Sequence, residues 1–171
     1  MQHPLHIFKF CPVCGAGHFS ENNIKSKKCK SCGFTYYFNP AAAVVAIIEN
    51  KNGEILVARR AKDPAKGTLD LPGGFVDLNE TIEEALRREV LEETNLQIDS
   101  LEFLFSIPNT YLYSNLEVYT ADMFFKCTVS DLKPIKPQDD VSELFFIAKE
   151  NINPDNFGMK SVSKAIKRLC T

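Results

Sequence analysis

The sequence predicts a mixed α/β fold of the α+β kind, a sandwich around one central helix with a small separate module ahead of it. Three observations predict this. Strand-like stretches lie both before and after a single strongly amphipathic helix, the pattern of helices packed on a mixed sheet. The 171 residues suffice for one ordinary domain plus a small accessory module. Residues 1–38 differ from the rest: they are rich in Lys, Cys, Gly and Asn and poor in long apolar runs, so a hydrophobic core alone cannot hold them. Two domains are expected, 1–38 and 39–171, with Asn39-Pro40 as the boundary.

In the module, Cys11-Pro-Val-Cys14-Gly and Cys29-Lys-Ser-Cys32-Gly are two CxxC knuckles separated by 14 residues. Each knuckle sets two sulfurs on one side of a tight bend, and Gly15 and Gly33 permit the bend. Two facing knuckles supply a tetrahedron of thiolates suited to Zn2+ at about 2.3 Å per bond, with no coordination position left open, so this metal is expected to be structural. His18 lies between the knuckles, but four cysteines already suffice. Lys9 and Cys11 interrupt any secretory pattern, which favours metal binding over disulfides and a cytoplasmic protein. Lys25, Lys27, Lys28 and Lys30 form a basic tip, and Phe19 and Phe34 are of a kind that stacks on bases. The favoured reading is a solvated lysine face over two core aromatics, because the net charge of −2 does not advertise nucleic-acid binding. Nucleic acid is therefore not an expected partner, and neither is a membrane: the apolar run Ala41 to Ile48 is too short to span one.

Beyond the boundary, Ala41 to Glu49 reads as a buried strand. Asn50-Lys51-Asn52-Gly53 is a turn and Glu54 to Arg59 a second strand, which together predict a hairpin. Lys62 to Thr68 is loop. Thr81 to Thr94 is the clearest helix: Thr81 and Glu84 form a capping box, and Ile82, Leu86 and Val90 recur on one face. Asn95 follows as a left-handed terminator. Leu101 to Ile107, Leu116 to Val129 and Glu143 to Ala148 read as strands, and Met159 to Leu169 as a closing helix with Val162, Ala165, Ile166 and Leu169 on one side.

The central helix carries the chemistry. Glu89, Glu92 and Glu93 stand at i, i+3 and i+4 and share one face. Carboxylates so close raise one another's pKa unless a cation neutralises them. They also sit at the negative end of the helix dipole, where a solvated acidic face is least favourable. Hard oxygen ligands of this kind call for Mg2+ or Mn2+, ions that also bind phosphate oxygens. Arg88 is spaced to pair with Glu92, with donors left for Glu80 or Glu84.

The segment from Gly74 to Leu96 resembles the Nudix box, G-x5-E-x7-R-E-U-x-E-E-x-G-U with U aliphatic. Gly74, Glu80, Arg88, Glu89, Val90, Glu92, Glu93 and Leu96 fall in place, and Asn95 replaces the family's glycine. Leu71-Pro72-Gly73-Gly74-Phe75 resembles the loop that leads into the box. The resemblance implies a Nudix α/β/α sandwich with a mixed sheet, and hydrolysis of a nucleoside diphosphate joined to another group. It implies that Glu89, Glu92 and Glu93 ligate divalent ions, that Glu89 or Glu93 takes the proton of the attacking water, that Glu80 is an outer ligand and that Arg88 orients the set. The backbone of Gly73 and Gly74 would approach metal or phosphate. Asp139, Asp140 and Glu143 occupy a region from which relatives sometimes take a base, though a plain polar loop explains them equally well.

A cysteine ribbon ahead of such a domain is similar to the bacterial NADH pyrophosphatase subgroup. That subgroup's S-Q-P-W-P-F-P-x-S array is replaced here by Ser106-Ile-Pro108-Asn-Thr-Tyr111-Leu-Tyr113, and the chain has no Trp. ADP-ribose, NADH and nucleotide sugars therefore stand together as expected substrates. Phe75 and Tyr111 or Tyr113 are candidates to stack on a base, and Arg59, Arg60 and Lys66 to contact phosphate. The competing reading is a non-catalytic sensor that binds a nucleotide ligand and whose zinc ribbon contacts nucleic acid or protein; the intact glutamate trio favours the enzyme. By analogy with the family, a homodimer is the expected assembly if the chain associates. Cys127 reads as a strand core residue and Cys170 as incidental.

Overall fold

A computed structural model describes residues 3–170. Within these the chain divides into two compact units, one of residues 3–40 with Leu112–Val118, the other of residues 41–111 with 119–170.

The first unit contains three short antiparallel strands, β1 (Phe19–Asn23), β2 (Ser26–Cys29) and β3 (Thr35–Tyr37), in that spatial order. Its buried cluster is small: Cys11, Phe19 and Cys29, with Ala16 and Phe34 packed against them. The two aromatic rings stack on each other at 6.4 Å, in agreement with a core role. The lysine tip differs from expectation at one position. Lys27 is buried; its Nζ donates to the Phe8 carbonyl at 2.6 Å and lies 5.6 Å from the Phe19 ring centre. The carbonyl and the aromatic face together satisfy the ammonium away from solvent.

The chain beyond residue 40 runs β4 (Ala41–Ile48), β5 (Ile55–Arg60), β6 (Leu69–Asp70), β7 (Gly73–Phe75), α1 (Ile82–Thr94), β8 (Ser100–Tyr113), β9 (Leu116–Thr128), β10 (Val141–Ile147) and α2 (Lys160–Leu169), with two single-turn 3-10 segments before α2; all of it but Leu112–Val118, where β8 turns into β9, lies in the second unit. The predicted hairpin of β4 and β5 does not form. The turn exists, with Asn50 N–H donating to the Glu54 carbonyl at 3.0 Å, but pairing stops at one bridge, Glu49 to Ile55. β4 then joins a four-stranded sheet in the order β7-β4-β9-β8, parallel to β9, while β5 joins β10-β5-β6. Both strands hold unbroken buried runs, Val44 to Ile48 and Ile55 to Ala58, so each needs covers on both faces, which a two-stranded ribbon cannot supply.

The covers are the two helices. Val44, Ala46, Ile48 and Leu56 pack with Ala85, Leu86 and Val90 of α1, while Val45, Ile47, Ile55 and Val57 pack with Val162, Ala165 and Ile166 of α2. Alternation along β4 and β5 therefore feeds two cores, which makes the α/β/α sandwich. Cys127 lies in the α1-side core. Among the described residues, no helix is long and apolar enough to cross a membrane.

Candidate active site and cysteine cluster

α1 begins as its sequence dictates. Thr81 accepts from the Glu84 amide, and Glu84 accepts from the Thr81 amide at 2.9 Å, the reciprocal capping box. It ends on Asn95 at φ 59°, where Asn is the most tolerant residue after Gly. The last carbonyls are capped by the loop before β10: Gln138 N–H donates to the Glu93 carbonyl at 3.0 Å and Lys136 N–H to the Thr94 carbonyl at 2.9 Å. That loop is also tied by Lys62, which pairs with Asp139 at 3.5 Å and with Asp140. These bonds bring the Asp139 charge close enough to act on Glu89.

The acidic face divides into two groups. Arg88 gathers the first. Its Nε and Nη2 grip the two Glu80 oxygens at 2.8 and 2.9 Å, its Nη1 reaches Glu89 at 2.8 Å and Glu92 at 3.1 Å, and Nη2 also donates to the Phe75 carbonyl at 3.0 Å. Arg88 holds the Glu80 carboxyl down to about 2, first through their hydrogen bonds. Glu89 moves the other way: burial raises it most, Arg88 opposes, and Glu92 and Asp139 add to the rise. Glu93 forms the second group alone. It turns toward the glycine loop, where Gly73 N–H donates to its Oε2 at 2.9 Å, and burial drives its carboxyl up to about 8, with Asp70 and Glu89 adding to the effect.

The three helix glutamates thus do not meet at one point: among the described residues, the only such group with ligand atoms all within 4.8 Å of one another is the cysteine quartet. The chemistry of the donor set still fits a divalent cation. One guanidinium faces the three carboxylates of Glu80, Glu89 and Glu92, with Glu93 nearby as a fourth, and two of the four, Glu89 and Glu93, are raised by burial and by like charge, so the patch is short of positive charge.

The glycine loop owes its composition to this crowding. Gly74 pairs with Val44 in β4, and a Cβ there would stand 2.5 Å from the Glu89 carboxylate. Gly73, at φ 151°, would drive a Cβ into the Val44 carbonyl and to 2.9 Å from the Val45 Cα.

The two arginines proposed from sequence as phosphate ligands already have partners. Arg59 donates to Glu143 at 2.8 Å and to the Gly67 carbonyl at 3.0 Å; Arg60 donates to the Pro64 carbonyl at 2.8 Å and to Asp70 at 2.7 Å. Both clasp the loop between β5 and β6. Phe75 is 43% exposed, and its backbone carbonyl accepts from Arg88, whereas Tyr111 lies half-buried near the far end of β8. Asp70 was not anticipated. Burial raises its carboxyl, Arg60 opposes, and the charge of buried Asp122 adds to the rise. An acid inside an otherwise apolar strand segment, Thr120-Ala-Asp122-Met-Phe-Phe, was the available signal for Asp122.

In the first unit, the knuckles close as expected. Gly15 and Gly33 adopt φ 72° and 79° and donate back to the Cys11 and Cys29 carbonyls at 2.9 and 3.0 Å. The Sγ atoms of Cys11 and Cys32, and of Cys14 and Cys29, are 3.7 Å apart. The four sulfurs share charge unevenly. The Cys32 backbone N–H brings Cys29 down to about 6, whereas Cys14, against the pull of the Ala16 backbone, is pushed up to about 12 by Cys32 and the other sulfurs. Such a quartet can hold one metal ion.

Residues 39–166 match the family model described as the NUDIX domain. The chain is 43% identical over 93 residues to the ADP-ribose pyrophosphatase of Methanocaldococcus jannaschii, a stretch covering 53% of each chain. It is 26% identical over 152 residues to the NAD-capped RNA hydrolase NudC of Vibrio cholerae, covering 89% of this chain and 54% of that protein. The chain spans about half the length of these curated relatives. A crystal structure of a NUDIX hydrolase from Nitrosomonas europaea superposes with a TM-score of 0.72 at 26% identity, covering 95% of this chain and 90% of the other.

Proposed function

The chain belongs to the NUDIX family, and from that premise we propose that it is a metal-dependent pyrophosphohydrolase. It cleaves the diphosphate of a nucleoside diphosphate derivative, whether ADP-ribose, NADH or a nucleotide sugar, to a nucleoside monophosphate and a second phosphate product. The observation that carries this reading is the Arg88-centred carboxylate cluster set against the Gly73-Gly74 loop, with Glu93 pinned to the Gly73 amide. The non-catalytic sensor draws no support from this cluster, which is complete.

Glu89, Glu92 and Glu93 would hold the divalent ion, Mg2+ or Mn2+, with Glu80 behind them. When bound, such an ion offsets the charge of the diphosphate and acidifies a water. The remaining work belongs to the chain. Arg88 fixes Glu80, Glu89 and Glu92 relative to one another and ties them to the backbone at Phe75. Glu89 or Glu93, ionised beside the bound cation, would take the proton from the attacking water. Phe75 offers an exposed ring to a base. Arg59 and Arg60 act by position, holding the loop between β5 and β6 in place. In the first unit the cysteine quartet would hold one structural Zn2+. Metal-binding thiols suit a reducing compartment, the cytoplasm.

The test is release of AMP from ADP-ribose and NADH with added Mg2+. Wild-type protein should release it, and Glu93→Gln, which keeps an acceptor for the Gly73 amide, should lower kcat/KM about a thousandfold. No release by wild type from any dinucleotide or nucleotide sugar, or equal rates for the variant, would remove this reading.

A further inference from the structure

The face of the four-stranded sheet that carries α2 changes character along its length. At one end Val45, Ile47, Phe124 and the flanking Phe105 and Ile107 form dense core. Two to four residues on, the same face presents Asn109 on β8 and Thr120 and Asp122 on β9. All three are buried, at 6%, 3% and 5% exposure. Each has a side-chain oxygen with no hydrogen-bond partner: Asn109 Oδ1, Thr120 Oγ1 and Asp122 Oδ1. A buried polar atom left unpaired is destabilising, so three together on neighbouring strands require an explanation.

Their placement is orderly. β8 and β9 are joined by Ser114 and Asn115, both at positive φ, the two-residue turn that fixes register. Counting back from it sets Asn109 opposite Thr120, with Cβ atoms about 5 Å apart. Asp122 follows Thr120 on the same face about 7 Å along. Beside them β4 contributes only alanines: Ala41 pairs with Thr120 and Ala43 with Asp122, and both alanines are half-exposed. The polar floor therefore has no bulky neighbour on its β4 side. Ser161 of α2 donates to the other Asp122 oxygen, Oδ2, which fixes the carboxylate and turns Oδ1 away. The floor also adjoins the reacting end. Ala43 pairs with Phe75 on its other side, two strands or about 10 Å from Asp122, and the Asp122 charge acts on Asp70, whose charge acts in turn on Glu93.

We propose that Asn109, Thr120 and Asp122 form a subsite that reads the nucleoside of the substrate. Two neighbouring donors of the ligand go to Asn109 Oδ1 and Asp122 Oδ1, and an adjacent acceptor takes the Thr120 hydroxyl proton. This rests on the reading of the chain as a nucleoside diphosphate hydrolase and adds to it the residues that select the substrate. Two parts of such a substrate carry the required pattern, the cis-diol of a ribose and the amino edge of adenine with its neighbouring ring nitrogen.

The variants Thr120→Val, Asn109→Leu and Asp122→Asn test it in the full chain. The first two replace unpaired polar atoms by apolar groups of similar shape, so their Tm should hold or rise. With ADP-ribose, each variant should raise KM about tenfold or more while kcat moves by no more than about twofold. With inosine diphosphate ribose, which lacks the amine, or with 2′-deoxyadenosine diphosphate ribose, which lacks the diol, the difference between variant and wild type should shrink to about twofold. The analogue that erases it identifies the group being read. AMP binding to protein without added Mg2+, measured by calorimetry, should weaken by the same factor in each variant. Hydrolysis absent with AMP binding still sensitive to the variants would sink the proposed reaction and leave the subsite standing. Normal hydrolysis with KM and AMP affinity equal to wild type in all three variants, or a loss of equal size for ADP-ribose and both analogues, would overturn the subsite.

Discussion

Adjacent glycines in the loop before α1 do different things. Gly74 is kept bare by a flexible obstacle, the Glu89 carboxylate, which can swing aside. Gly74→Ala should therefore fold, with Tm within about 2 °C of wild type, yet lose about a hundredfold in kcat/KM because Glu89 is displaced. Gly73 is kept bare by backbone, the Val44 carbonyl and Val45 Cα, on a φ that L side chains avoid. Gly73→Ala should cost about 3 kcal/mol or more, read as a lower denaturation midpoint with the slope preserved. Equal stabilities for the two variants would contradict this division. Glu93 gives the pH signature. Its folded pKa, about 8, lies above the ordinary 4.5, so between those values the native state holds a proton that the unfolded chain has released. Stability without added divalent metal should consequently fall as pH rises across that window. Glu93→Gln, with no charge to bury, should match wild type at pH 4, below that window, and melt at least about 3 °C higher at pH 8. A gap that is constant with pH would refute the burial account. The glutamates, Arg88, the glycines and the cysteines were legible in the sequence because their spacing is local. Asn109, Thr120, Asp122 and Ser161 were not, since they meet only when β8, β9 and α2 are brought together.

At the scale of elements, the best-read segment was the one whose signals are all internal. α1 starts and stops where its capping box and Asn95 predict, and α2 buries the predicted Val162, Ala165 and Ile166. Asn95 does two jobs: its backbone is left-handed, and its Nδ2 donates to the Pro134 carbonyl at 2.9 Å, holding the loop that caps α1. Asn95→Gly should relieve the backbone and lose that bond, leaving stability within about 1 kcal/mol of wild type. Asn95→Val, with a branched side chain at φ 59°, should cost about 2 kcal/mol by chemical denaturation, and a neutral result would show the left-handed turn to be dispensable. Strands were read less well. The turn after β4 predicted a hairpin because sequence shows the turn and not the competition: β9 offers β4 a parallel partner over eight residues, and β10 offers β5 an antiparallel one. β6 and β7 are too short to announce themselves and exist because Gly73–Phe75 line up on β4 and Leu69–Asp70 on β5.

For the molecule as a whole, the two units owe their stability to different forces. The second has two apolar clusters, one on each face of β4, each closed by a helix. The first has a cluster of three buried residues, two of them cysteines whose sulfurs belong to the quartet. Apolar burial of that size cannot offset the conformational entropy of some thirty ordered residues, which costs roughly 1–2 kcal/mol each. Metal coordination, which links folding to binding, can make up the difference. Composition points the same way, because a stretch rich in Lys and Gly with two CxxC knuckles has few apolar residues to bury. Stripping the metal with a zinc-selective chelator should then separate the units in a hydrogen-exchange experiment. Amides in β1 and β2 should lose protection, with exchange about a thousandfold faster or more, while those of β4, β5 and α1 keep theirs. Protection of β1 and β2 that survives chelation would mean that the cysteines are not what folds the first unit. Loss in α1 at the same chelator concentration would mean that the second unit's apolar clusters do not suffice to hold it.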